Sequence, residues 1–149
     1  MTLERLERIR VRLSDEGLDW LLVSGPENRR YLSGFTGSSG YLLISQEEAL
    51  LATDFRYFQQ VQEQAPAYTL AKMQGGTVES LASILQQHVA EGARLGFEAE
   101  HLTVALYEKL RGAVAAAQWV PTQGLVENLR AVKDPGEIQA IRRAVALAD

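Results

Sequence analysis

The two histidines are the first candidates for chemistry, because imidazole is the side chain that most often binds a catalytic metal or moves a proton near neutral pH. His88 and His101 belong to no H-x-x-x-H pair, and neither stands beside a cluster of carboxylate residues. Helical spacing places His88 close to the stripe of Leu81 and Leu85, which is typical of a half-buried or surface histidine. The sequence therefore predicts no metal site within this chain.

A nucleophilic triad can be written down from Ser24 or Ser38 together with His88 and Asp54. However, no segment matches the G-x-S-x-G nucleophile elbow, and such triples can be found in any globular protein. The chain contains no cysteine, which excludes disulfides, thiolate zinc sites, iron–sulfur clusters and a cysteine nucleophile. Hydrolysis by a triad within this chain is therefore not predicted.

Residues 34–40, the glycine segment, read Gly-Phe-Thr-Gly-Ser-Ser-Gly. A phosphate-binding loop gathers backbone N–H groups at the start of a helix. Here the glycines lead into an apolar run typical of a strand, and no Gly-Lys-Ser/Thr follows. The segment is therefore predicted to be a surface loop in which glycine allows positive φ and close backbone approach.

A polar cluster between the first strand and the glycine segment is the main candidate for binding. It is predicted to lie on a loop, where recognition residues are often held by a rigid sheet. An asparagine offers a donor and an acceptor, and two arginines can grip a carboxylate. A solvated turn explains the same residues equally well. The cluster consists of Asn28, Arg29, Arg30 and Tyr31.

A second cluster, Asp54, Arg56 and Tyr57, follows a strand-like run. Aspartate is a preferred N-cap residue, and an arginine two positions later can pair with it. A helix cap with a local ion pair is favoured over a binding site.

Helical and strand-like patterns alternate along the chain, which favours an α/β layered fold. Helical patterns cover 3–13 and begin again at Phe55, at Thr77 and after Thr103. Two of the apolar runs flank a short polar stretch and predict a hairpin. The predicted strands are residues 20–23, 41–44, 49–52, 68–71, 94–98 and 118–121.

The composition of the chain limits the classes of function that it can have. The 149 residues carry a net charge of −4, which argues against a non-specific nucleic-acid binder because such a protein needs a basic face. No apolar run approaches the roughly 18 residues of a membrane span, and the charged N-terminus does not resemble a signal peptide. A cytoplasmic protein that contacts neither nucleic acid nor membrane is expected.

The last residues carry the clearest helix signal. Asp134-Pro135-Gly136-Glu137 reads as a capping box, and an apolar stripe follows it up to Asp149 without a stop signal. We therefore expect the domain to continue into further chain.

Four motifs follow one another in order along the sequence. They are Asn28-x-x-Tyr31-Leu32-Ser33-Gly34-Phe35-x-Gly37-Ser38, Asp54-x-Arg56-Tyr57, Leu95-Gly96-Phe97-Glu98, and Val-Glu-Asn-Leu-Arg-x-Val-Lys-Asp-Pro-x-Glu-Ile at 126–138. Together they resemble the N-terminal domain of the prolidase, aminopeptidase P and creatinase group. The resemblance implies a mixed sheet of five or six strands with helices on both faces. It also implies a domain over 1–131, with 132–149 as the linker and first helix of an absent catalytic domain.

The resemblance implies a parent enzyme that cleaves the bond between any residue and proline. In that family the chemistry belongs to a C-terminal domain, where two Asp, one His and two Glu hold two manganese or cobalt ions that activate water. None of those ligands is expected in this chain, which therefore should hold no cofactor and hydrolyse nothing by itself.

The resemblance also implies a homodimer that acts on proline-containing peptides, in which this domain contacts its own catalytic domain and approaches the neighbouring subunit's active site. Asn28, Arg29, Arg30 and Tyr31 would then recognise substrate. The residues expected to support that loop are Gly34, Phe35, Gly37, Asp54, Arg56 and Tyr57.

Two other functions remain open at this stage. A creatinase-like parent would hydrolyse a small amidine without metal. A peptidase-like domain without metal ligands could instead serve protein interaction, as in a histone chaperone, although a net charge of −4 does not suggest a strongly acidic surface.

Overall fold

The computed structural model describes residues 2–132, which form one six-stranded sheet with six α-helices. The strands are β1 (Trp20–Val23), β2 (Tyr41–Ile44), β3 (Ala49–Thr53), β4 (Thr69–Lys72), β5 (Arg94–Glu98) and β6 (Gln118–Thr122). The helices are α1 (Thr2–Asp15), α2 (Pro26–Ser33), α3 (Phe58–Gln64), α4 (Thr77–His88), α5 (Val104–Ala113) and α6 (Leu125–Ala131). A short 3₁₀ helix, Phe55–Tyr57, precedes α3. The predicted capping box at 134–137 and its helix lie outside the described residues.

The strand order is β4-β3-β2-β1-β5-β6. Only β2 runs antiparallel to its neighbours, with Leu43 opposite Leu22 on one side and Leu50 on the other. The β1–β5, β5–β6 and β3–β4 pairs are parallel. The carboxyl ends of five strands therefore meet at one edge of the sheet, where β2 begins.

Alternating side chains of the central strands divide the core into two layers. Leu21 and Val23 pack with helices α1, α2, α3 and α6 on one face, whereas Trp20 and Leu22 pack with α4 and α5 on the other. Both faces of the central strands are thus buried, which explains why these strands read as continuous apolar runs. The prediction of a mixed sheet with helices on both faces is confirmed.

The segment that holds Asn28 to Tyr31 is helix α2, so the prediction of a loop there is wrong. Pro26 occupies the first turn, where its missing N–H costs nothing, and Gly34 ends the helix in the left-handed conformation at φ 82°. Helix α6 was also not predicted. No helix within residues 2–132 is long and apolar enough to span a membrane.

Candidate functional site

The candidate site lies at the edge where the parallel strands end. Two residues separate β1 from helix α2, the glycine segment leads into β2, and Asp54 directly follows β3. In open α/β sheets this carboxyl edge is the usual place for ligands. All the residues predicted to bind or to support binding are therefore grouped near one edge of the sheet.

Glu98, the last residue of β5, organises the start of α2. Its carboxylate accepts hydrogen bonds from the backbone N–H groups of Ser24 and Gly25, both at 2.8 Å, and from the side-chain amide of Asn28. Glu98 is only 6% exposed, and burial raises the pKa of its carboxyl group although these hydrogen bonds oppose the shift. Glu98 stands in one of the four sequence motifs, but no role was predicted for it.

Asn28 is buried between three elements. Its amide nitrogen donates to Glu98 on β5, and its carbonyl oxygen accepts from Arg130 on α6 at 3.0 Å. Arg130 also donates to Glu27 at 3.1 Å. Both polar atoms of the Asn28 side chain are therefore engaged inside the domain, where they connect α2 to β5 and α6.

Arg29 is also buried, and it fastens the glycine segment to α2. Its two terminal nitrogens donate to the backbone carbonyls of Gly40 at 2.8 Å and Gly37 at 2.9 Å. Burial lowers the pKa of the guanidinium. Gly37 is required at its position because a Cβ there would lie 2.1 Å from the ring of Phe35. These contacts fix the backbone path of the glycine segment, whose three glycines would otherwise allow many conformations.

Arg30 faces solvent and makes no side-chain hydrogen bond or ion pair with residues 2–132. Tyr31 beside it is half-buried: its hydroxyl donates to the carbonyl of Leu129 at 3.3 Å, and the Arg5 guanidinium lies 4.1 Å from its ring centroid. An open cleft of about 600 Å³, here called the arginine cleft, is lined by Arg5, Glu27, Arg30, Tyr31, Gly34, Thr36 and Arg130. Of the four residues predicted to bind, Arg30 is the most accessible.

The second predicted cluster, which follows β3, supports the glycine segment. Asp54 caps the 3₁₀ helix and accepts two side-chain hydrogen bonds from Arg56, at 2.8 and 2.9 Å. This pairing lowers the pKa of Asp54 to about 2. The Tyr57 hydroxyl lies 2.5 Å from that of Ser38, and its ring packs edge-on against Phe35. Tyr57 thus makes the direct contact with the glycine segment.

One histidine lies near two carboxylates. His101 Nε2 is 2.7 Å from the carboxylate of Glu127 on α6, and Glu98 brings a third possible ligand atom within 4.8 Å of both. The group contains no aspartate, and the carboxylate of Glu98 is already engaged by α2. It therefore does not fit the centre of two Asp, one His and two Glu implied by the resemblance. His88 instead pairs with Glu48 at 3.4 Å.

The relatives found by comparison with known proteins are described as peptidases. An uncharacterised peptidase of Bacillus subtilis is 32% identical over 145 residues, which are 97% of this chain and 40% of that protein. The solved Xaa-Pro dipeptidase of Bacillus anthracis superposes with a TM-score of 0.85 at 35% identity, over 93% of this chain and 38% of that one. The solved X-prolyl aminopeptidase of Caenorhabditis elegans, described as a cytosolic enzyme with a di-nuclear active site, gives 0.74 at 26% identity, over 86% and 25%.

The chain thus spans two fifths or less of these relatives. A family model described as the creatinase/prolidase N-terminal domain matches residues 5–132. That range takes in all of the strands and the whole of the candidate site. The chain belongs to the creatinase/prolidase N-terminal domain family.

Proposed function

We propose that this chain is the non-catalytic N-terminal domain of an Xaa-Pro peptidase. The observation that carries the proposal is the family match over residues 5–132, together with relatives that are peptidases and extend far beyond the matched region. In this proposal residues 1–131 are the domain, and 132–149 lead into a C-terminal catalytic domain. The cytosolic relative supports a cytoplasmic location.

The bond-breaking chemistry belongs to that second domain. The di-nuclear active site of the C. elegans enzyme supports a pair of metal ions in that domain. In this proposal the two ions are divalent manganese or cobalt, which would activate the attacking water. The group of Glu98, His101 and Glu127 in this chain does not fit such a pair of ions. The isolated 149-residue chain should therefore release no amino acid from an Xaa-Pro dipeptide when either metal is supplied.

The role of this domain is to recognise peptide substrate at the active site of a neighbouring subunit in a homodimer. Arg30 and Tyr31 supply the contacts, because Arg30 is exposed and Tyr31 lines the same arginine cleft. Asn28 and Arg29 hold these two residues in place through their buried hydrogen bonds. An exposed arginine suits a peptide carboxylate, which it can bind through two parallel hydrogen bonds.

The first test is Arg30→Gln in the full-length protein that carries this domain. We expect kcat/KM for an Xaa-Pro dipeptide to fall at least about tenfold, because Gln cannot replace the charge-assisted hydrogen bonds of the guanidinium. Arg111→Gln is the matched control, because Arg111 is an exposed arginine at the far end of α5. Equal values for the two variants would contradict the proposed contact.

A mixing experiment tests whether the contact crosses the dimer. Arg30→Gln subunits are combined with subunits inactivated by a metal-ligand substitution in the catalytic domain. If Arg30 serves the neighbour's active site, the mixed dimer contains one complete site and regains a large part of the wild-type kcat/KM. No recovery in a sample shown to contain mixed dimers would place Arg30 at its own subunit's site instead.

A further inference from the structure

Arg29 is a buried cation without a carboxylate partner. It is 4% exposed, and none of the ion pairs among residues 2–132 includes it. Its two hydrogen bonds go to uncharged backbone carbonyls, and its Nε has no hydrogen-bond partner among residues 2–132. Buried charges in proteins are normally paired, because desolvating an ion is costly. The described part of the chain therefore supplies no opposite charge to Arg29.

A cleft of about 240 Å³ lies beside Arg29, and its chemistry suits an anion. We call it the hydroxyl cleft, because its polar lining is mostly hydroxyl groups: Ser24, Ser38, Ser39, Tyr41 and Thr103. No Asp or Glu of residues 2–132 lines it, whereas a glutamate lines each of four other clefts in this part of the chain. Its polar side chains are therefore hydroxyl groups together with Arg29 and His101, all of which can donate hydrogen bonds to an anion.

Two further features mark the hydroxyl cleft. The Oγ of Ser24 is buried without a hydrogen-bond partner, so a second polar group on the cleft wall lacks a partner. His101 also lines the cleft, and its hydrogen bond with Glu127 raises the pKa of the imidazole. The histidine therefore carries positive charge over a wider pH range than a free imidazole does. Arg29, Ser24 and His101 converge on a single cavity.

We propose that the hydroxyl cleft binds the carboxylate of a small molecule of amino-acid size, with Arg29 as its counter-ion and the cleft hydroxyls as further donors. A singly charged carboxylate matches the single unpaired charge of Arg29. A phosphate dianion brings excess negative charge close to Glu98, whose carboxylate contacts the backbone of Ser24. The cavity volume is below the roughly 300 Å³ of ordinary ligand pockets, which limits the ligand to a small one.

This inference goes beyond the proposed function, because the ligand is bound by the N-terminal domain alone and no catalytic domain is needed. The test is an NMR titration of the 149-residue chain with L-alanine, L-alaninamide or inorganic phosphate. We expect L-alanine to shift the backbone amides of Ser24, Ser38 and Ser39 in a saturable way, and L-alaninamide to bind at least about tenfold more weakly. Equal binding of the amide, stronger binding of phosphate, or no saturable shift overturns the inference.

Two variants assign the binding to the cleft. Arg29→Gln should weaken the binding of L-alanine about tenfold, whereas Arg111→Gln should leave it unchanged. If Arg29→Gln does not fold, Ser24→Ala decides, because the Ser24 Oγ makes no hydrogen bond within residues 2–132 and we expect its removal to leave the fold intact. Ser24→Ala should then weaken the binding of L-alanine several-fold. Wild-type affinity in the folded Ser24→Ala protein, and in Arg29→Gln where that variant folds, rejects the hydroxyl cleft as the site.

Discussion

Glu98 and Asn28 are 70 residues apart in the sequence, and their side chains are hydrogen-bonded to each other inside the domain. The same carboxylate accepts from the backbone at the start of α2. One buried acidic group therefore fixes both where helix α2 begins and how its most buried polar side chain is oriented.

Replacing Glu98 by Gln should lower the free energy of unfolding by about 2 kcal/mol, because one accepting oxygen becomes an NH₂ group that faces other donors. Urea denaturation measures the change. Glu100→Gln is the matched control, since Glu100 is an exposed residue nearby, and it should stay within about 0.5 kcal/mol of the wild type. Similar losses for the two variants would show that the contacts of Glu98 with α2 contribute little to stability.

Stability should depend on pH through His101. The hydrogen bond with Glu127 raises the pKa of His101 above its ordinary 6.5. The native state then binds the proton more tightly than the unfolded state, so the contribution is full below about pH 6.5 and is lost as pH rises through the raised pKa. Because the side chains of His101 and Glu127 are each about one third exposed, the effect should not exceed about 1 kcal/mol.

The measurement compares urea unfolding of the wild type, His101→Gln and Glu127→Gln at about pH 6 and pH 9. The wild type should exceed both variants by more at the lower pH than at the higher one. A difference that is constant across this range would rule out titration of His101 as the cause.

Two glycine substitutions should change stability in opposite directions. Gly37→Ala places a methyl group against the Phe35 ring, which must move, so we expect a loss of about 1–3 kcal/mol. Gly112→Ala lies in helix α5 with open space around the new methyl group, so we expect a gain of about 0.4–1 kcal/mol. Thermal unfolding of both variants checks the pair. A stable Gly37→Ala would mean that the glycine segment adapts easily.

The layered fold was predictable because its signals are local. Each central strand is a run of apolar residues, and Gly17 stands just beyond the end of α1 with positive φ. Helix α2 was not predictable in the same way. It has eight residues and starts with Pro26, and the distant Glu98 accepts hydrogen bonds from the backbone N–H groups of the two residues just before it, Ser24 and Gly25. Such a helix depends on tertiary contacts more than on its own sequence.

The candidate site was predictable in its location but not in the orientation of its side chains. The motif around Asn28 and Arg29 indicated the segment that the structure places at the carboxyl edge of the sheet, and the sequence suggested that both side chains face a ligand. In the structure the partners of Arg29 are two carbonyl groups of glycines, and those of Asn28 lie on β5 and α6. Backbone acceptors leave no trace in residue types, so the burial of these side chains could not be foreseen.

The last described helix, α6, is held to the rest of the domain by hydrogen bonds along its length. There are four such contacts: Arg130 donates to Asn28 and Glu27, Glu127 pairs with His101, and the Leu129 carbonyl accepts from Tyr31. Three of the four contacts end on α2. A displacement of the chain at residue 132 should therefore also move α2. Through the hydrogen bonds of Arg29 it should move the glycine segment as well.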